Sequence, residues 1–123
     1  MIESETKQRL IRLDSPVSFI IRSREYYTVV YEVEGKVWAT GGVDKNEIRT
    51  VFVSPPYQRK GVGRELMEHL ESCVDPERFD LLFLQASESA EGFYHRMGYR
   101  SVRKRVVRVD GSPLTTIYME KGN

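Results

Sequence analysis

Seven residues in the middle of the chain, Gln58-Arg59-Lys60-Gly61-Val62-Gly63-Arg64, bring three cations and two glycines together just before a helical pattern. A turn of this kind binds anions. The N–H groups in the first turn of a helix lack intrahelical partners and sit at the positive end of its dipole, so an oxyanion there is both hydrogen-bonded and attracted. Gly61 and Gly63 carry no Cβ and let phosphate oxygens reach the backbone, while Arg59, Lys60 and Arg64 add charge at the same spot. The turn is not a Walker loop, which needs Gly-x-x-x-x-Gly-Lys followed by Ser or Thr, nor a three-glycine dinucleotide fingerprint. It suits a nucleotide-type ligand without ATP chemistry.

A second block, Leu81 to Tyr99, is an apolar strand-like run followed by a short helical pattern ending Phe93-Tyr94-x-x-x-Gly98-Tyr99. With Gln58, Gly61 and Gly63 in a Gln-x-x-Gly-x-Gly arrangement, and the two blocks in this order and separation, the chain resembles the GCN5-related N-acetyltransferases, in particular short bacterial-type members. The resemblance covers roughly residues 26 to 120. It implies the acyl-CoA N-acyltransferase fold, in the α+β class. In that fold a mixed, mostly antiparallel central sheet contains a splayed parallel pair and is flanked by helices.

Moving an acetyl group from a thioester to an amine requires four things: a held thioester, a stabilised carbonyl oxygen, a deprotonated amine and a protonated leaving thiolate. The resemblance implies acetyl-CoA as cofactor and distributes these tasks. Arg59, Lys60, Gly61, Val62, Gly63 and Arg64 would hold the pyrophosphate. Backbone groups of Val51, Phe52 and Val53 would hold the pantetheine arm and polarise the carbonyl, leaving their side chains as ordinary core residues. Tyr94 matches the family's general acid, since a phenol with pKa about 10 is protonated at neutral pH and can donate to a departing thiolate. Glu47, eleven positions before Gln58, matches the general base of the histone-acetylating members; read alone, it is a strand-end carboxylate beside Arg49. Ser87 stands where many relatives carry an asparagine that contacts the cofactor, and offers one hydroxyl in place of an amide.

The elements that must position these residues follow from periodicity. Ser4 to Leu13 reads as a short helix ending before Pro16, and Val17 to Ile21 as a strand. Tyr26 to Val33 and Val37 to Val43 form a hairpin turned by Glu34-Gly35, and Glu47 to Val53 is a strand stopped by Pro55-Pro56. A helix over Gly61 to Val74 puts Val62, Leu66, Leu70, Cys73 and Val74 on its buried stripe, with Glu65, Glu68, His69 and Ser72 outward. Phe79 to Ala86 reads as a strand buried on both faces. Glu88 to Met97 is a helix with Ser87 as N-cap and Gly98 just past its end; Arg100 to Val109 and Leu114 to Lys121 form a last hairpin turned by Asp110-Gly111.

Other reactive groups carry less. Cys73 on a buried stripe, with no histidine partner, is a small core residue, so transfer is direct with no acyl-enzyme. His69 and His95 fall on outer helix faces, and two histidines with one cysteine show no metal-ligand spacing. Arg96, Arg100, Arg103, Lys104, Arg105 and Arg108 form a late basic cluster that either solvates an edge hairpin or contacts phosphate or an acidic acceptor. The chain as a whole, 123 residues with 40% hydrophobic and 30% charged content, fits one domain over residues 1–123. Its net charge of +1 argues against nucleic acid or an acidic membrane surface as partner. With one cysteine, no apolar run of membrane-spanning length and no signal-peptide pattern, a cytoplasmic protein is expected. Only about 25 residues precede the first hairpin, fewer than the family's usual strand and two helices, so the domain reads as N-terminally shortened, with Val17 to Ile21 or a second subunit of a homodimer covering the edge. Two functional classes remain: an N-acetyltransferase acting on a small-molecule or peptide amine, and a non-catalytic acyl-CoA-binding or regulatory module.

Overall fold

The computed structural model describes residues 8–12, 17–22 and 27–123 and divides into two compact units, Met1–Val74 and Asp75–Asn123. In the first unit five strands form an antiparallel meander: β1 (Gln8–Arg12), β2 (Val17–Arg22), β3 (Tyr27–Val33), β4 (Lys36–Asp44) and β5 (Glu47–Val53). The helix expected over Ser4 to Leu13 is corrected where it is described: Gln8–Arg12 is a strand, in register with β2 from Gln8 opposite Arg22 to Arg12 opposite Ser18. A helix of ten residues is marginal by itself, whereas a strand here gains a ladder. The remainder of that expected helix lies outside the described residues. Val17 to Ile21 is the expected strand, within β2.

The β3–β4 turn places Glu34 at φ 49° and Gly35 at φ 82°, the left-handed pair that matches the twist of a two-residue hairpin. The helix α1 (Val62–Ser72) packs Val62, Leu66, Met67 and Leu70 inward. Its approach to β4 is made possible by Gly41: a Cβ there would lie 2.8 Å from Leu70 Cδ1 and 3.3 Å from Leu66 Cδ2. Cys73 is corrected from core to exposed. The helix stops at Ser72, and the Cys73 thiol turns back to 3.3 Å from the His69 carbonyl, leaving Met67 to complete the stripe with Val74.

The second unit is a three-stranded antiparallel sheet, β6 (Leu81–Ser87), β8 (Ser112–Gly122) and β7 (Arg100–Val109), in that spatial order, with the short helix α2 (Glu91–Arg96). β6 is not buried on both faces. Leu82, Leu84 and Ala86 are buried, while Gln85 and Ser87 are exposed and Phe83 is half-buried against Tyr118. Nor is the following helix continuous from Glu88: a 3-10 turn at Glu88–Ala90 precedes α2, and Ser87 makes no side-chain cap bond, its Oγ lying 3.2 Å from Ser89 Oγ. At the other end Gly98 has φ 101°, with its N–H on His95 O and the Tyr99 N–H on Tyr94 O, both at 3.0 Å. This is a Schellman stop. Asp110 and Gly111, at φ 52° and 79°, turn the last hairpin as expected. Among the described residues no helix is long and apolar enough to cross a membrane.

Candidate functional site

In the first unit the anion turn is built on the end of β5. Ser54 N–H donates to Trp38 O at 2.9 Å, a 3-10 turn covers Pro55–Tyr57, and the Tyr57 ring stacks on Trp38 with centroids 4.4 Å apart and planes 5° from parallel. Gln58 then reaches back, its Nε2 donating to Val53 O at 2.9 Å. Arg59 (φ 63°) and Gly61 (φ 83°) are both left-handed, which folds the loop tightly before α1 begins at Val62. Gly61 is the N-cap and offers no side chain, so the first-turn N–H groups of α1 carry no side-chain cap. Space around Gly61 is open, with nothing within 4 Å of where its Cβ would stand. Arg59 and Lys60 are exposed, and Arg64 has only a long, exposed contact to Glu68 at 3.9 Å. An uncapped helix start, open space and three weakly engaged cations fit a diphosphate.

Upstream, β5 is bulged. Thr40 faces Phe52 and Gly42 faces Arg49, which leaves Gly41 opposite both Thr50 and Val51. Thr50 sits at φ 53°, a strained conformation for a β-branched residue, costing on the order of 1–3 kcal/mol. Strain of this size persists at a bulge that redirects a strand. Phe52 is corrected from core to exposed, at 57% of its surface, and Val51 and Val53 are half-buried. Glu47 lies at the far end of β5 from Val53, about 20 Å away at strand rise. Its carboxylate is 3.9 Å from Arg49 Nε, and Arg49 also bonds Asp44 at 3.2 Å.

Two further polar pairs stitch α1 to β3, and both overturn the outward placement of Glu65 and His69. Tyr31 Oη donates to Glu65 Oε1 at 2.6 Å, and Tyr27 Oη lies 2.9 Å from His69 Nε2. Burial, then the Glu65 bond and charge, push the Tyr31 phenol far above its usual range; burial lowers His69. Periodicity marked these helix positions as polar but could not show that two long tyrosines border the apolar stripe. Thr50 and the Trp38–Tyr57 stack gave no sequence signal either, because bulge position and ring pairing are settled by tertiary packing.

In the second unit Tyr94 is buried, 7% exposed, between Phe93 (5.1 Å, edge-on) and Tyr99 (5.9 Å, edge-on). Burial pushes its phenol up to about 12. Among the described residues nothing hydrogen-bonds its hydroxyl, and no buried side-chain oxygen lacks a partner, so the ring is buried while the Oη reaches the surface. Ser87 closes β6, exposed. His95 is exposed and bonds Ser101 Oγ at 2.9 Å, while Ser101 donates to Glu91 at 2.5 Å. Among the described residues no group of three His, Cys, Asp or Glu could hold a metal ion.

Comparison with known proteins agrees with the family resemblance. The family model described as "Acetyltransferase (GNAT) domain" matches residues 5–121. The N-alpha-acetyltransferase RimI of Mycobacterium tuberculosis is 30% identical over 82 residues, 63% of this chain and 50% of that protein. The chain spans half or less of the length of the curated relatives it matches. Solved structures share the fold, two of them as follows. The GCN5-related N-acetyltransferase from Rhodopseudomonas palustris has a TM-score of 0.74 at 23% identity, covering 80% of this chain and 62% of that one. A GNAT family acetyltransferase from Elizabethkingia anophelis with acetyl-CoA bound has a TM-score of 0.64 at 14% identity, covering 80% and 77%. The α+β acyltransferase fold is thus the fold of this protein, and with the family model running through nearly its whole length, the chain belongs to the GNAT acetyltransferase family.

Proposed function

We propose that this protein transfers an acetyl group from acetyl-CoA to a primary amine by direct transfer in a ternary complex. The observation that carries the reading is the turn from Gln58 to Arg64, tethered to β5 by the Gln58 amide and opening an uncapped helix. When bound there, acetyl-CoA supplies the thioester. The first-turn N–H groups and Arg59, Lys60 and Arg64 hold its diphosphate, while the backbone of Val51, in the bulge, and of Phe52 and Val53, after it, holds the arm. The exposed Phe52 ring offers apolar cover to the same ligand.

Tyr94 is the proposed acid: its free hydroxyl keeps its proton at neutral pH and donates it to the leaving sulfur. Glu47 is the proposed base, taking the ammonium proton directly or through water, with Arg49 Nε 3.9 Å from its carboxylate. Ser87 contributes at most one hydroxyl to the cofactor. The acceptor is a small-molecule or polypeptide amine, and the RimI relative's name favours an α-amino group. The test is thiol release from acetyl-CoA with a panel of peptides and small amines. Release on at least one acceptor supports transfer; tight acetyl-CoA binding with no release on any acceptor would leave only a binding module.

A further inference from the structure

The β7–β8 hairpin concentrates charge that neither the cofactor turn nor Tyr94 uses. From Arg100 to Leu114 it carries five cations, Arg100, Arg103, Lys104, Arg105 and Arg108, against one carboxylate, Asp110, in a chain whose net charge is +1. Arg100 pairs with Glu120 at 3.1 Å. Arg103 lies over the Tyr118 ring at 4.6 Å and Arg108 donates to Gly111 O at 3.0 Å, contacts that leave their charge in place. Lys104 and Arg105, opposite Ile117 and Thr116, face no carboxylate across the pair. Between these cations stand exposed valines: Val102 at 45%, Val106 at 67% and Val109 at 52% of their surface.

β7 is also the last strand of its sheet, bonded to β8 on one side and to no described strand on the other. Such an edge presents a row of unpaired N–H and C=O groups. A second copy of β7 is a poor partner, because strand pairing would set like charges against each other. An extended acidic segment meets the same row with opposite charge, and its apolar residues can lie on the valines. Nucleic acid gains less here: the strand has no aromatic ring for a base to stack on, and phosphates make no use of the valines.

We propose that the outer edge of β7 docks an extended acidic polypeptide segment by strand addition. The proposal stands apart from acetyl transfer, since it is read as binding without acetyl-CoA. The probe is a labelled octapeptide of alternating Glu and Val, titrated into the full chain by fluorescence anisotropy beside its Lys-Val counterpart, a copy N-methylated at alternate amides, and a DNA oligonucleotide. The Glu-Val peptide is expected to bind, with affinity falling about tenfold or more on N-methylation and with Lys104→Glu/Arg105→Glu. Lys104→Gln/Arg105→Gln, milder for the fold, is expected to give a smaller loss in the same direction, and circular dichroism checks that both variants fold. Equal binding of the N-methylated copy, unchanged affinity in both variants, tighter binding of DNA, or no binding of the Glu-Val peptide would each overturn the proposal.

Discussion

The side-chain amide of Gln58 donates to the backbone carbonyl of Val53 at 2.9 Å, so the residue that opens the glycine turn also closes the strand before it. A loop with left-handed Arg59 and Gly61 is costly in entropy to hold in one shape. This bond and the Trp38–Tyr57 stack hold it before any ligand arrives. Gln58→Ala should therefore leave the fold intact and weaken acetyl-CoA binding by about threefold to tenfold, the worth of one hydrogen bond. Isothermal titration checks this, and an unchanged Kd would mean that the tether is dispensable.

Glycine substitutions separate folding from binding. Gly41→Ala drives a Cβ to 2.8 Å from Leu70 Cδ1, so denaturant unfolding should show a loss of about 1–3 kcal/mol from overpacking. Gly61→Ala meets no atom within 4 Å and should cost only the left-handed penalty of about 1–2 kcal/mol. Its acetyl-CoA affinity should fall further than its stability does if the added methyl stands in the proposed path of the phosphate to the backbone.

Tyr94→Phe keeps the ring between Phe93 and Tyr99 and removes only the hydroxyl. Turnover should drop by about a hundredfold or more, with acetyl-CoA Kd little changed. Because burial raises this phenol to about 12, native turnover should show no alkaline limb from Tyr94 until pH approaches that value. A steady-state pH profile to pH 10 or so reads this directly, and full activity in the phenylalanine variant would remove Tyr94 from the chemistry.

His69 gives the protein an acid sensitivity whose sign is set by burial. Its folded pKa lies below its ordinary value, so the unfolded chain binds the proton more readily and stability is lost as pH falls below about 6.5. Melting temperature should decline over that range, and the decline should flatten in His69→Gln, which keeps a polar partner for Tyr27 but does not titrate. The same slope in both proteins would place the sensitivity elsewhere.

Much of this was legible in the residues themselves. The turns at Glu34-Gly35 and Asp110-Gly111, the strand Glu47–Val53 and the helix following Gly61 rest on local signals: glycine or aspartate at left-handed positions, paired prolines, and a 3.6-residue stripe. The stretch Gln8–Arg12 misled because Leu10 and Ile11 among charged residues fit a helical turn as readily as a strand, and only the ladder with β2 decides. Long-range partners were out of reach for the same reason. Nothing near Glu65 or His69 in the chain announces Tyr31 or Tyr27, and nothing near Thr50 announces the bulge opposite Gly41. Phe52 reads as core because backbone atoms alone are expected to contact the cofactor, yet its ring is exposed.

The most direct measurement is the intact mass of a peptide acceptor and of the protein after incubation with acetyl-CoA. Direct transfer predicts that the peptide gains one acetyl group at its amine, that the protein gains none, and that Tyr94→Phe slows the gain. A peptide that stays unmodified across the acceptor panel, or an acetyl group that accumulates on the protein first, would contradict it.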